Sequence, residues 1–142
     1  MGVIKRDFAI AVKAIIVNNN KVLLLHRSKA EIESSIMNRK EAWDLPGGGL
    51  HFFETSTKGL VREVKEETGL YVHIIEPFSV FDVIKNNIHL TIITYICVCD
   101  TYNVTLSDEH DAFYWLTLEE VKNKDIPKWM KKEFEKALKS VK

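Results

Sequence analysis

Apolar and polar positions divide this chain into short, separate elements. Phe8 to Val17 is apolar and rich in Ile, Val and Ala, interrupted only by Lys13, which predicts a buried strand. Asn18-Asn19-Asn20 then signals a turn, because Asn tolerates left-handed backbone. Val22 to His26 predicts a second strand and hence a hairpin. Ser28 to Ala42 is polar, mixed and without a period, so it reads as a long loop, placed to close over a pocket or to lie on the surface. Trp43 to Leu45 predicts a short strand, Pro46-Gly47-Gly48-Gly49 a break in regular structure, and Leu50 to Phe53 a brief extended piece.

The second half alternates differently. Thr55 caps a predicted helix to about Thr68, with Gly69 as its stop. Tyr71 to Ile84 and His89 to Val98 predict strands joined at Asn86-Asn87, and Ala112 to Leu116 a weaker one. Thr117 and Glu120 form a capping-box pattern for a short helix. Pro127 opens the last helix, whose Met130, Phe134, Ala137 or Leu138, and Val141 make one stripe. Its lysines form a solvated basic face interrupted by Glu133 and Glu135. This irregular alternation predicts a mixed sheet with helices packed on it.

Composition narrows the classes. The chain has 142 residues, which suits one domain. Its 20 basic residues balance 20 acidic ones, so there is no basic footprint for nucleic acid. No apolar stretch is long enough for a membrane span, and no secretory pattern opens the chain, so a cytoplasmic location is expected. Cys97 and Cys99 share a strand face, where a bridge would strain the short loop between them; they read as buried thiols.

The candidate chemistry lies between Gly48 and Leu70. Glu63, Glu66 and Glu67 share one face of the predicted helix, while Leu60, Val61 and Val64 face the core. Three clustered carboxylates repel one another, and a hard divalent cation such as Mg²⁺ or Mn²⁺ relieves this. A solvated acidic helix is the other reading of the same pattern. Arg62 can orient the carboxylates through paired hydrogen bonds. The glycines ahead of the helix let backbone approach a metal or a phosphate.

Gly48, five residues, Glu54, seven residues, then Arg62-Glu63-Val64-Lys65-Glu66-Glu67-Thr68-Gly69-Leu70 resembles the complete Nudix box, G-x5-E-x7-R-E-U-x-E-E-x-G-U. Trp43-Asp44-Leu45-Pro46-Gly47 resembles the usual lead-in. The resemblance implies an α/β fold, a Nudix-like α/β/α sandwich around a mixed β-sheet, over a single domain spanning residues 1–142. It implies a pyrophosphohydrolase that cleaves a nucleoside diphosphate linked to another group, by water attack on phosphorus with Mg²⁺ or Mn²⁺. Glu63, Glu66, Glu67 and the Gly48 carbonyl are the implied metal ligands. Glu63, Glu66, Arg62 and Glu54 are the implied catalytic set, one glutamate serving as general base. Glu109, with His110 and Asp111 beside it, is a further implied ligand or base ahead of Trp115. Arg27, Gly47 and Gly48 are candidates for substrate phosphate, and Trp43, Phe52, Phe81 and Tyr114 for base stacking, if they are not core residues.

Two positions depart from the family pattern: Phe53 stands where Gly is common, and Gly59 where Ala is. The proline that follows the box in many ADP-ribose hydrolases falls near Lys85 and is absent, as is the tyrosine of dinucleoside polyphosphate hydrolases near Asn87 or Ile88. The NADH-hydrolase tract is missing, and the spacing does not fit the coenzyme A subgroup. A nucleoside triphosphate substrate remains by elimination. Other readings are a non-catalytic module that binds a nucleotide or ADP-ribose-like ligand as a sensor, a structural domain with a relic box, and an isoprenoid diphosphate isomerase. The intact carboxylates argue against the first two, and the absence of cysteine near the box against the last. A homodimer is common among similar proteins.

Overall fold

The structure is a computed structural model that describes residues 7–34 and 41–141. Its strands are β1 (Asp7–Asn18), β2 (Lys21–Arg27), β3 (Trp43–Asp44), β4 (Gly47–Gly49), β5 (His73–Lys85), β6 (Ile88–Val98) and β7 (His110–Leu116). The helices are α1 (Lys29–Glu33), α2 (Ser56–Thr68), α3 (Leu118–Asn123) and α4 (Lys128–Ser140). The sheet runs β3-β2-β1-β6-β5, with β4 also on β1 and β7 also on β2. Only β1 and β6 pair in parallel among the described strands, so the sheet is mixed, as the sequence predicts.

Helices cover both faces, because β1 and β2 carry apolar side chains on both sides. Ile15, Val17, Val22 and Leu24 pack with Met130, Phe134 and Ala137 of α4. Val12, Ala14, Ile16, Leu23 and Leu25 pack with Leu60 and Val64 of α2. Burying each large side chain contributes about 1.5–3 kcal/mol. The α4 stripe is therefore a core-facing stripe. No helix among the described residues is long and apolar enough to cross a membrane.

The caps follow the sequence. Thr55 Oγ1 accepts from Lys58 N, and Gly69 closes α2 at φ 74°. Thr117 and Glu120 complete the capping box of α3, and Pro127 is the N-cap of α4. Both asparagine turns place paired residues at positive φ: Asn19 with Asn20, and Asn86 with Asn87.

Four expectations are corrected. Gly47–Gly49 does not break the sheet but pairs antiparallel with Ala11–Lys13, since glycine lets the two backbones close up. Leu50 to Phe53 is a turn rather than extended, with Phe53 at φ 64°. That left-handed residue explains why glycine is favoured there. The expected loop from Ser28 begins as α1, whose N-terminus Ser28 caps; residues 35–40 of the expected loop lie outside the described residues. Cys97 is buried, its thiol pushed up to about 12 by burial, but Cys99 is only half-buried, with Sγ donating to Thr101 O at 3.3 Å.

The second departure, Gly59, also has a local cause. A Cβ on Gly59 would strike the Leu50 side chain and stand 2.9 Å from Glu54 Oε1. Alanine gains about 1 kcal/mol of helix propensity. Leu50 packs against the core cluster under α2 and is not free to swing aside, so overpacking costs about 1–3 kcal/mol and Gly59→Ala should lower rather than raise the melting temperature. A higher melting temperature would show that the contact is soft.

Candidate active site

The site sits where the sheet opens. β1 and β2 pair only at their hairpin end, through Val17 with Val22 and Asn18 with Lys21. Beyond it β2 turns to β7 and β3, and β4 takes the vacated flank of β1. A cavity of about 280 Å³ lies in this opening, lined by Lys13, Arg27, Glu31, Asp44, Gly47, Gly48, Gly49, Glu63, Glu67, Glu109 and His110. A larger, more open hollow of about 470 Å³ lies along β7 and α3, around Tyr114 and Lys124, and holds none of the box residues.

One arginine organises the outer carboxylates. Arg62 grips Glu54 with both arms of its fork, Nε to Oε2 at 2.9 Å and Nη2 to Oε1 at 2.8 Å. Its Nη1 donates to Glu63 Oε1 at 3.1 Å and to Glu66 Oε2 at 3.2 Å, and Nη2 reaches the Gly49 carbonyl at 3.4 Å. Glu54 Oε1 also accepts from His51 N at 2.9 Å. These donors, Arg62 foremost, hold the Glu54 carboxyl down at about 2. Burial pushes the Glu63 carboxyl up, against the opposing pull of Arg62. The Glu63 carboxylate lies directly over Gly48, so close that a Cβ there would be 2.7 Å from Oε2.

Glu67 belongs to a different environment. The sequence places it with Glu63 and Glu66 on one face, but the side chains diverge: Glu66 is 58% exposed and Glu67 only 4%. Glu67 Oε2 accepts from Gly47 N at 2.7 Å. Burial pushes its carboxyl up to about 9, although Lys13 and the Gly47 amide act to lower it.

Behind Glu67 runs a polar chain that spacing did not show. Lys13 Nζ donates to Asp44 Oδ1 and to the Leu45 carbonyl, each at 3.2 Å. Asp44 Oδ2 meets His110 Nε2 at 3.0 Å. His110 Nδ1 then faces Glu67 Oε1 at 3.8 Å. The available sequence signal was Lys13, a charge inside an otherwise apolar strand.

The other candidates fall as follows. Glu109 is exposed at the cavity wall. His110 rather than Glu109 is the buried member of that pair, and Asp111 turns away to His26 Nδ1 at 2.7 Å. Arg27 lines the cavity with its guanidinium donating to the carbonyls of Glu41 at 2.9 Å and Glu31 at 3.0 Å. Gly47 is buried behind Glu67, and Gly48 lies under Glu63. Trp43 is half-buried and edge-on to Tyr114; Tyr114, its ring covered by Lys124 at 4.2 Å, lines the hollow beside α3. Phe52 and Phe81 are not core residues, being 92% and 60% exposed.

The residues fit a divalent cation. Glu67 is a buried carboxyl held by the Gly47 amide and crowded by Glu109 and Asp44, and Glu67, Glu109 and His110 place ligand atoms within 4.8 Å of one another.

The NUDIX domain profile matches residues 7–137. The chain is 30% identical over 95 residues to the nucleoside triphosphatase NudI of Klebsiella pneumoniae (strain 342), covering 59% of this chain and 67% of that protein. It is 31% identical over 104 residues to an ADP-ribose pyrophosphatase of Methanocaldococcus jannaschii, covering 73% of this chain and 57% of the relative. Among solved structures, the MutT protein of Methanosarcina mazei Go1 superposes with a TM-score of 0.76 at 29% identity, covering 99% of both chains. The chain thus spans between half and about two-thirds of the length of the curated relatives it matches. Profile, relatives and fold agree with the box at Gly48–Leu70, and the chain belongs to the Nudix family.

Proposed function

We propose that this chain is a Mg²⁺- or Mn²⁺-dependent pyrophosphohydrolase acting on a nucleoside triphosphate or a related nucleotide, as a single cytoplasmic Nudix domain. The observation that carries this reading is the fork of Arg62, which gathers Glu54, Glu63 and Glu66, with Glu63 lining a cavity that Gly47, Gly48, Glu67 and Glu109 also line. Glu63, Glu66, Glu67, Glu109 and the Gly48 carbonyl are the proposed ligands. A bound divalent cation would neutralise these carboxylates and supply Lewis acidity toward the diphosphate.

The chain's own residues account for the rest. Arg62 fixes two glutamates that would otherwise repel each other, and Glu54 fixes Arg62. The glycine strand leaves room for phosphate oxygens at backbone distance, because its side is bare. Arg27 stands at the cavity wall with its charge held in place by the carbonyls of Glu41 and of Glu31 in α1. A carboxylate of this set takes the proton of the attacking water, which adds to phosphorus as the second phosphate leaves. The named activities of the relatives support a diphosphate-containing nucleotide and divide between nucleoside triphosphates and ADP-ribose. The missing proline near Lys85 favours the triphosphate.

A panel of nucleoside triphosphates, ADP-ribose, dinucleoside polyphosphates, coenzyme A and nucleotide sugars, with and without Mg²⁺ or Mn²⁺, tests this. We expect one nucleoside triphosphate to be cleaved far faster than the rest, and only with metal. Tight metal-dependent binding without turnover of any compound would replace the enzyme with the sensor reading. A homodimer is also proposed, resting on Phe8, Val80, Phe81 and Ile84, which project from the uncovered end of β1 and β5.

A further inference from the structure

His110 presents a nitrogen that the protein leaves without a partner. Its side chain is 1% exposed, and Nδ1 is the only buried side-chain nitrogen or oxygen among the described residues with no hydrogen-bond partner. Leaving a buried polar group unpaired is costly, so its persistence calls for a ligand or a water.

The tautomer is set from the other side of the ring. Asp44 Oδ2 lies 3.0 Å from Nε2, while Lys13 Nζ holds Oδ1 at 3.2 Å. A carboxylate paired with a lysine accepts, so Nε2 carries the hydrogen and Nδ1 keeps its lone pair. That lone pair faces Glu67 Oε1 at 3.8 Å, too far for a hydrogen bond between them. Two ligand atoms held face to face in a buried site, too far apart to bond each other, are the arrangement that a cation joins. A carboxylate that fixes a histidine from behind is also the usual support of a metal-binding imidazole.

We propose that His110 Nδ1 is a metal ligand, and that with Glu67 and Glu109 it forms a mixed nitrogen and oxygen site at the inner end of the cavity. The three ligand atoms lie within 4.8 Å of one another. Two opposed bonds of about 2.1 Å span about 4.2 Å, so small side-chain rotations close the gap. The inference rests on the metal-dependent reading above and adds a nitrogen to a set otherwise made of oxygens. Imidazole favours transition metals over Mg²⁺, so the inner site should select Mn²⁺ above Mg²⁺.

Pulsed electron paramagnetic resonance of the Mn²⁺-loaded protein reads the nitrogen directly. We expect a ¹⁴N coupling that changes to the ¹⁵N pattern when the protein is made with ¹⁵N-histidine. His110 is the one histidine of the five in the cluster, and the labelled wild type needs no substitution. His110→Asn should remove the coupling and weaken Mn²⁺ binding roughly 10–100-fold, with a smaller loss for Mg²⁺. Glu109→Gln should weaken Mn²⁺ binding while keeping the coupling. Bound Mn²⁺ that supports turnover without a histidine coupling overturns this inference and leaves the proposed function standing. A histidine coupling in a protein that turns over none of the nucleotides supports the site and overturns the proposed function. No Mn²⁺ binding at all overturns the site.

Discussion

Glu67→Gln should lower turnover between about 100-fold and 10,000-fold and at the same time stabilise the metal-free protein. The first effect follows because an amide is a poor substitute for an anionic ligand. The second follows from burial. The Glu67 carboxyl is pushed up to about 9 from an ordinary 4.5, so between those values the folded protein keeps a proton that the unfolded chain releases. Stability of the metal-free wild type therefore falls as pH rises through that window, at up to about 1.4 kcal/mol per unit. Glutamine has no proton to release, and its carbonyl oxygen can still accept from Gly47 N, which now bonds Glu67 at 2.7 Å. Melting curves of the two proteins in chelator should converge near pH 5 and separate towards pH 9, with the variant higher. Parallel curves would sink the burial argument. Turnover equal to wild type would sink the assignment of Glu67 to the site.

The same residue shows what the sequence could and could not reveal. Helical spacing places residues 63, 66 and 67 within one turn, and that much holds. Spacing says nothing about what each side chain meets. Arg62, one residue before Glu63, bends back over the outer face and takes Glu63 and Glu66. Glu67 lies nearer the side of Leu60 and Val64 and enters the protein, where β4 supplies its amide and β7 its histidine. Those partners lie 20 and 43 positions away along the chain, too far for any local period to signal.

Elements with their own local chemistry were legible nearly to the residue: the asparagine turns, the Thr117 box, the Thr55 and Gly69 ends of α2. Elements whose state depends on a distant partner were not. The glycine run carries turn chemistry by composition, yet β1 recruits it as a strand because β2 has left that flank open. Asp44 and Lys13 look unconnected in sequence, and only the sheet brings them to one cavity with His110. Phe53 was visible as a departure, but the left-handed backbone behind it was not.

The glycine strand provides the sharpest test, because its three residues have different reasons to be glycine. Gly47→Ala should unfold the protein or lower its melting temperature by about 10 °C or more. Gly47 has φ 144°, a region that side chains avoid, at a cost of about 1–3 kcal/mol. A Cβ there would be driven into the Val12 carbonyl and stand 2.8 Å from Lys13 Cα, both backbone atoms of the central strand that cannot move aside. Together these reach several kcal/mol against a total stability of about 5–15 kcal/mol. At Gly48 the obstacle is the Glu63 carboxylate, the end of a flexible side chain, at 2.7–2.9 Å. Gly48→Ala should therefore fold but displace Glu63 from Arg62, losing turnover with little loss of stability. At Gly49 a Cβ meets nothing within 4 Å, and Gly49→Ala should match the wild type in both. Melting temperature and turnover of the three variants separate a residue that the strand needs from one that the chemistry needs. Equal stability at Gly47 and Gly49 would mean that β4 does not sit against β1 as tightly as its pairing implies.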